Sequence, residues 1–274
     1  MAPPLITFLS DYGHADEFVG VCHGVIAQRC PQARVIDISH TIPRHDVREG
    51  ALVLRDALGH MPVGVHLAVV DPAVGSLGRQ SRRAVALRTA AQGRMLVGPD
   101  NGLLMLAAER LGGVTEAVDV GRSRERREPV SATFHGRDVF APVAAALAAG
   151  EQLGDLGELV AAEDLRRVAL PSAHVVDGVL VAHALRADHF GNLTLDASAE
   201  QIRAAGIELG DMVSVQVEGL AYPGHYASTF ADVAPGELLL YEDSLRSAAL
   251  AVNRGSAADH LKVERDSELL VRPA

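Results

Sequence analysis

The sequence contains few aromatic residues and few cysteines, and both shortages narrow the class of protein. None of the 274 residues is tryptophan, aromatic residues make up 4% against 48% hydrophobic residues, and cysteine occurs only twice. A core of valine, leucine, alanine and isoleucine is typical of α/β layers. Cys22 and Cys30 lie eight positions apart, which matches no common metal spacing and indicates reduced, buried thiols. We expect an ordered globular protein of the cytoplasm.

Long apolar runs and strongly basic segments are also missing. No uninterrupted apolar run approaches the roughly 18 residues of a membrane span, and Met1 to Ser10 has no basic region of the secretory type. The formal net charge is −10, and the densest basic stretch, 122–128, is interrupted by two glutamates, as in a solvated surface loop. Neither a membrane nor a nucleic acid is expected as a partner.

Signatures of phosphate and metal binding are missing as well. The segment Gly75-Ser76-Leu77-Gly78-Arg79 has neither the lysine of a phosphate-binding loop nor the spacing of a dinucleotide fingerprint. The 12 histidines form no paired metal signature, although His135 and Asp71 could together ligate an ion. We expect a ligand without a polyphosphate, no metal and no resident cofactor.

The chain contains two segments that differ in their pattern of predicted strands and helices. Short β-prone runs alternate with helix-like segments in the first part, which predicts a sandwich-like α/β domain with a mostly parallel sheet over 1–165. The predicted strands are Leu5–Leu9, Arg34–Ile38, Val65–Val70, Ala84–Leu87 and Met95–Val97, and the predicted helices are Glu17–Gln28, Val47–Leu58, Leu103–Leu111 and Val139–Ala148. After a linker near 160–173, short strands with close turn signals predict a smaller, antiparallel, β-barrel-like domain over 174–274.

Carboxylates follow three of the predicted strands. Asp11, Asp71 and Asp100 each come directly after such a run, and open α/β sheets bind ligands at the carboxyl ends of parallel strands. Each alone could be a turn or cap residue, but three at corresponding ends predict a shared cleft.

The segment Thr133 to Pro142 precedes an alanine-rich helix and contains His135 and Asp138. The exposed amides at a helix start favour an anion, so a titratable ring there indicates chemistry. The alternative is that Asp138 only caps the helix and His135 lies on a surface loop.

Groups suited to a nucleoside occur in both predicted domains, most of them in the second. Either Asp11 or Asp188 could accept the two hydroxyls of a ribose. Asn192 could read an adenine edge, and Phe230 could stack on the base. The alternative is that Asn192 is an ordinary loop residue and Phe230 packs in the core, without contact to a ligand.

Five ordered motifs together resemble the S-adenosylmethionine hydrolase (adenosine-forming) family, also called SAM hydroxide adenosyltransferases, which are relatives of the fluorinase and chlorinase enzymes. The motifs are Ser10-Asp11-Tyr12-Gly13 with Asp16, Asp71-Pro72-Ala73-Val74-Gly75, Pro99-Asp100-Asn101-Gly102-Leu103-Leu104, Thr133-Phe134-His135-Gly136-Arg137-Asp138 and Asp188-His189-Phe190-Gly191-Asn192. The match continues to Asn253-Arg254-Gly255-Ser256-Ala257-Ala258 and so spans nearly the whole chain.

The resemblance implies an N-terminal α/β domain, a C-terminal β-barrel-like domain and a homotrimer, with active sites between the N-terminal domain of one subunit and the C-terminal domain of the next. It implies a catalytic triad at Asp71, Arg79 and His135. The arginine lies eight residues after the aspartate, one more than the family spacing, which leaves Arg82 and Arg83 as alternatives.

The resemblance also implies substrate-binding positions. They are Asp11 at the ribose hydroxyls, Asp16 and Ser244 at the methionine end, His45 over the substrate, and Asp188, Asn192, Phe230 and Arg254 in the adenosine pocket. Leu245 follows Ser244 at a position where the halogenating relatives have an arginine.

The implied reaction is hydrolysis of S-adenosyl-L-methionine, as a small-molecule substrate, to adenosine and L-methionine. Since a sulfonium is already a good leaving group, the protein needs mainly to aim water at the ribose C5′ and exclude solvent. The alternatives are halide-dependent 5′-halogenation of the same substrate and a sensor that binds adenosine or S-adenosylmethionine without turnover.

Overall fold

The computed structural model describes residues 3–76 and 81–274. It divides into two compact units, Met1–Val168 and Ala169–Ala274, with the division inside the predicted linker. Throughout the described ranges, no helix combines the length and the apolar character needed to cross a membrane.

Among the described residues, seven strands form the sheet of the first unit. They are β1 (Leu5–Ser10), β2 (Arg34–Ser39), β3 (Val65–Val69), β4 (Ala84–Thr89), β5 (Met95–Pro99), β6 (Val114–Asp119) and β7 (Glu158–Leu159). Their order is β2-β1-β3-β5-β4-β6-β7. Strands β2, β1, β3 and β5 are parallel, whereas the pairs β5–β4, β4–β6 and β6–β7 are antiparallel. The predicted mostly parallel sheet is confirmed, with an antiparallel edge that the sequence pattern did not indicate.

Helices cover both faces of this sheet. They are α1 (Phe18–Arg29), α2 (Val47–Leu58), α3 (Met105–Arg110) and α4 (Ala141–Ala148). Since successive strand residues point to opposite faces, β3 and the residue after it supply two cores. Val65, Leu67 and Val69 pack with α1 and α4, and Ala68 and Val70 pack with α2 and α3. A central strand buried on both sides explains the continuous apolar run.

Two helix starts matter for the site. The side chain of Asp46 accepts a hydrogen bond from the Glu49 amide at 2.9 Å and so caps α2 next to the loop that carries His45. Before α4, residues Gly136–Phe140 form one π-helical turn, so the predicted helix at Val139 begins in a wider turn. Turns of this kind often occur at functional sites.

One cysteine lies in α1 and the other directly follows that helix. Cys22 and Cys30 are buried and unpaired, as predicted, and burial raises the pKa of Cys22 to about 12. The Cys22 thiol therefore remains protonated, and both side chains pack as small apolar groups.

The second unit, all of which the structure describes, is a closed barrel. Its strands are β8 (His174–Val176), β9 (Val179–Ala187), β10 (Leu193–Ser198), β11 (Met212–Val217), β12 (Leu220–Tyr226), β13 (Leu238–Glu242), β14 (Ser247–Val252) and β15 (Glu268–Pro273), with helices α5 (Ala199–Ala204) and α6 (Ala257–Leu261). The order β10-β14-β13-β12-β11-β15-β9 closes through β9–β10 pairing, and β8 extends from β9. All pairs except β12–β13 are antiparallel. The predicted antiparallel barrel is confirmed, and its closure leaves few free edges.

Candidate active site

Two of the three predicted carboxylates reach one cavity. Asp11 follows β1 and Asp71 follows β3, and these strands are parallel neighbours. Both residues line a cavity of about 300 Å³. Asp100, which follows β5, does not line it. Its carboxylate accepts hydrogen bonds from Arg83 Nε and the Arg166 amide, each at 2.8 Å. The shared cleft therefore contains Asp11 and Asp71, while Asp100 ties two loops together.

Arg82 joins Asp71 to His135. Its Nε donates to Asp71 Oδ1 at 3.0 Å and Oδ2 at 3.1 Å, and its Nη2 donates to Asp71 Oδ2. The same Nη2 lies 2.9 Å from His135 Nδ1. The Asp71 and Arg82 side chains are only 6% and 5% exposed, and the guanidinium stacks 5.3 Å from the centre of the Phe140 ring. Such a buried, forked ion pair fixes the geometry of both partners.

The arginine also determines the tautomer of the histidine. A guanidinium can only donate hydrogen bonds, so His135 Nδ1 must accept, and a neutral ring then carries its proton on Nε2. Burial and the Arg82 charge lower the pKa of His135, which keeps the ring neutral at pH 7. His135 is thus a half-buried member of a charged cluster and not a free loop residue.

The other two candidate arginines are Arg79 and Arg83. Arg79 lies outside the described residues. Arg83 binds Asp100, as given above, and its Nη2 donates to the Asp164 carbonyl. Within the described ranges, Arg82 is the alternative that contacts both Asp71 and His135.

The remaining predicted residues of the first unit line the same cavity. Asp16 and His45 border it together with Asp11. The His45 amide donates to Asp11 Oδ2 at 2.9 Å, and His45 has a φ of 66°, a conformation that few residues other than glycine adopt. The loop before α2 is thus held against the Asp11 carboxylate.

An aromatic wall was missed by the sequence analysis. Tyr12 and Phe18 line the cavity, and their rings pack 5.9 Å apart and also contact Phe134 at 5.7 and 5.2 Å. A Cβ at Gly136 would overlap the Tyr12 hydroxyl, so glycine is required there. Burial raises the pKa of Tyr12 well above its ordinary value, so the hydroxyl stays protonated. The signal was Tyr12 itself, inside the quoted Ser10–Gly13 motif.

Asp138, which the sequence analysis also singled out in the histidine motif, has a structural position. Its carboxylate accepts from Arg137 Nε at 2.7 Å and from the Ser131 amide at 2.8 Å, and it is 1% exposed. It anchors the 131–138 loop, from which Thr133, His135 and Gly136 line the cavity.

A second pocket, of about 510 Å³, lies in the barrel unit. It is lined by Phe190, Asn192, Phe230, Val252, Arg254 and Gly255. Phe190 and Phe230 are 74% and 44% exposed, so Phe230 is not the core residue of the alternative interpretation. Such exposed rings suit stacking on a planar ligand.

Asp188 holds the loop that carries two of the pocket residues, Phe190 and Asn192. Its carboxylate accepts from the Asn192 side chain at 2.8 Å and from the Phe190 and Asn192 amides at 2.8 and 2.9 Å. Phe190 belongs to a motif quoted from the sequence but was not singled out. Three of the four predicted adenosine residues thus line one pocket, and the fourth holds its loop.

Ser244 lies elsewhere in the barrel unit. It lines a separate pocket of about 610 Å³ together with Arg203, Glu242 and Arg246. Arg246 Nη1 donates to Glu242 Oε1 at 2.6 Å. Arg203 and Arg246 therefore place two guanidinium groups in the pocket of Ser244. Leu245, at the position where the halogenating relatives have an arginine, is apolar.

Comparisons with known proteins agree across both units. The family models for the SAM hydroxide adenosyltransferase N-terminal and C-terminal domains match residues 6–157 and 182–270. The (R)-S-adenosyl-L-methionine hydrolase of Salinispora tropica is 48% identical over 99% of both chains, and a fluorinase of Actinoplanes sp. is 31% identical over 93% of both. A crystal structure of an uncharacterized conserved protein from Thermotoga maritima has a TM-score of 0.90 at 33% identity and covers 97% of this chain and 99% of its own.

Proposed function

This chain belongs to the SAM hydroxide adenosyltransferase family, and from that premise we propose that it hydrolyses S-adenosyl-L-methionine to adenosine and L-methionine. The observation that carries the proposal is the Asp71–Arg82–His135 cluster beside the cavity that Asp11 also lines. The relatives named as hydrolases match nearly the whole chain, whereas the fluorinases are more distant.

The cluster suits the activation of one water molecule. In the reaction a bond forms between the water oxygen and C5′, and the C5′–S bond breaks with its electron pair left on sulfur as the methionine thioether. The water must also lose a proton. Asp71 is the acceptor we assign, because His135 Nδ1 is occupied by Arg82 and the Nε2–H can only donate. His135 then orients the water, and Arg82 stabilises the developing charge.

The pockets of the two units divide the recognition of the substrate. We assign the ribose hydroxyls to Asp11, the methionine end to Asp16 and Ser244, and a position over the substrate to His45. The exposed rings and the Asn192 amide support an adenine site in the barrel unit, with Asp188 and Arg254. Shape and stacking supply the affinity there, and polar groups supply the orientation.

Incubation of purified protein with S-adenosyl-L-methionine, with and without chloride, tests the reaction by chromatography. Adenosine and methionine in both buffers are expected. 5′-Chloroadenosine formed only with chloride would instead identify a halogenase. Substrate bound but recovered intact would identify a sensor and contradict the proposed turnover.

We further propose a homotrimer in which the N-terminal unit of one subunit and the C-terminal unit of the next supply one site, as the family resemblance implies. Light scattering should give three times the 28.9 kDa chain mass. Co-expression of an Arg82→Ala chain with a Phe230→Ala, Asn192→Ala chain should recover activity that neither has alone. A monomer, or no recovery, would refute shared sites.

The cytoplasm is the compartment we propose, because two thiols remain free and buried, as in a reducing environment. Cell fractionation with an antibody against the chain tests this location.

A further inference from the structure

Two imidazoles and a carboxylate meet beside β2, at a place the proposed reaction does not use. His23 is on α1, Asp37 is in β2 and His40 follows the strand. His23 Nε2 lies 2.9 Å and His40 Nε2 lies 3.0 Å from the same oxygen, Asp37 Oδ1. The three ligand atoms all lie within 4.8 Å of one another. No local sequence signature predicts this group, since its members come from α1, from β2 and from the loop after β2.

His40 has an unused nitrogen. Its side chain is fully buried, and Nδ1 lies 2.7 Å from Ser10 Oγ. Its Nε2 lies 3.0 Å from Asp37 Oδ1 but outside hydrogen-bond geometry, so among the described residues this nitrogen has no hydrogen-bond partner. A buried polar atom without a partner is unusual and costly, and it points into the cluster.

The donor set and spacing fit a small transition-metal ion. Two imidazole nitrogens and one carboxylate oxygen are ligands for zinc and neighbouring divalent metals. Ligand atoms at zinc distances stand about 3.3 Å apart in a tetrahedron, close to the two separations above. His23 and Asp37 are 35% and 41% exposed, so an ion can enter from solvent and keep a water ligand.

We propose that His23 Nε2, Asp37 Oδ1 and His40 Nε2 bind one divalent transition-metal ion of the zinc class. Ser10 accepts the Nδ1 proton of His40 and so orients the ring, as outer-shell groups do at metal sites. The ion joins α1 to the end of β2. It also holds the Asp11 turn, because the Gly13 amide donates to the His40 carbonyl at 2.7 Å. Its role is structural, and it takes no part in the hydrolysis.

Zinc titration of chelator-stripped protein by calorimetry tests the site without reference to activity. The wild type should bind one Zn²⁺ per chain with a rise in Tm, and Co²⁺ in its place should give the absorption of a four-coordinate site. His23→Ala and Asp37→Asn should weaken binding by at least about 10-fold, the lower range seen even for outer-shell changes. Both changes fall on partly exposed side chains, which avoids the folding risk of replacing His40.

His174→Ala is the matched control, since this exposed histidine lies on β8 in the other unit. It should bind Zn²⁺ as the wild type does. Absence of a stoichiometric site in the wild type would overturn the proposal. So would a His23→Ala protein with wild-type affinity, because the ion would then be held by other surface histidines.

Discussion

Replacement of Arg82 with alanine removes the link between Asp71 and His135. It leaves the Asp71 carboxylate, 6% exposed, without its forked partner, and loss of one member of a buried ion pair costs about 3–5 kcal/mol of folding stability. The Arg82→Ala protein should therefore unfold at a clearly lower temperature. Calorimetry or circular dichroism during heating measures that loss, and kinetics must be recorded well below the new Tm.

The effect on turnover is separate from the effect on stability. The guanidinium contacts Asp71 and His135, which in the proposed mechanism act on the water, so its loss should lower kcat and leave KM nearly unchanged. Loss of one preorganised donor typically costs about 10²- to 10³-fold in kcat. Arg82→Lys should recover little of it, because an ammonium cannot reproduce the fork to both Asp71 oxygens and His135.

Arg83→Ala is the matched control for this experiment. It removes the bond to Asp100, outside the cavity, and should retain most of the kcat. Arg79→Ala completes the comparison. Full turnover by Arg82→Ala together with a collapse in Arg79→Ala would refute the assignment and restore the spacing-based triad. Chromatographic measurement of adenosine release distinguishes these outcomes.

Three further outcomes are expected. Burial and the Arg82 charge lower the pKa of His135, and the protonated ring cannot accept the Arg82 hydrogen bond. The rate should therefore fall as the pH drops through this lowered pKa, and His135→Gln should flatten that acid limb in a pH–rate profile. Phe230→Ala should raise KM, and the Kd for adenosine by dialysis, by roughly 5- to 150-fold, since a base–aromatic stack contributes about 1–3 kcal/mol; an unchanged Kd would exclude this ring. Gly136→Ala should lower both Tm and turnover because its Cβ overlaps the Tyr12 hydroxyl, whereas Gly20→Ala, which has open space around its Cβ, should change neither appreciably.

The positions of the carboxylates could be predicted from strand periodicity, but their partners could not. Asp11, Asp71 and Asp100 all follow parallel strands as expected. Asp100 is nevertheless held by the Arg166 amide, 66 residues away in the chain. A long-range backbone contact of this kind depends on how a later loop returns to the sheet, and local patterns do not encode it.

The pocket of the barrel unit shows a similar limit. Composition and turn signals predicted strands there, but whether Phe230 packs inside or outside depends on barrel closure. In the structure Phe230 begins a short turn after β12 and contacts Tyr241 with ring centres 5.3 Å apart, which leaves one face open. Phe190 is presented by the loop that Asp188 organises. Periodicity cannot distinguish such loop aromatics from core residues.

Which arginine contacts both Asp71 and His135 depends on the direction of one strand. Counting from Asp71 favoured Arg79, because family spacing was the guide that the sequence offered. However, β4 runs antiparallel to β5, with Ala84 opposite Pro99, so the amino end of β4 lies at the edge where the parallel strands end. Residues directly before β4 therefore reach the Asp71 edge, and Arg82 and Arg83 occupy those positions. Because β4 is short and buried whichever way it runs, its apolar pattern is the same in either direction, and only the assembled sheet brings Arg82 to the aspartate.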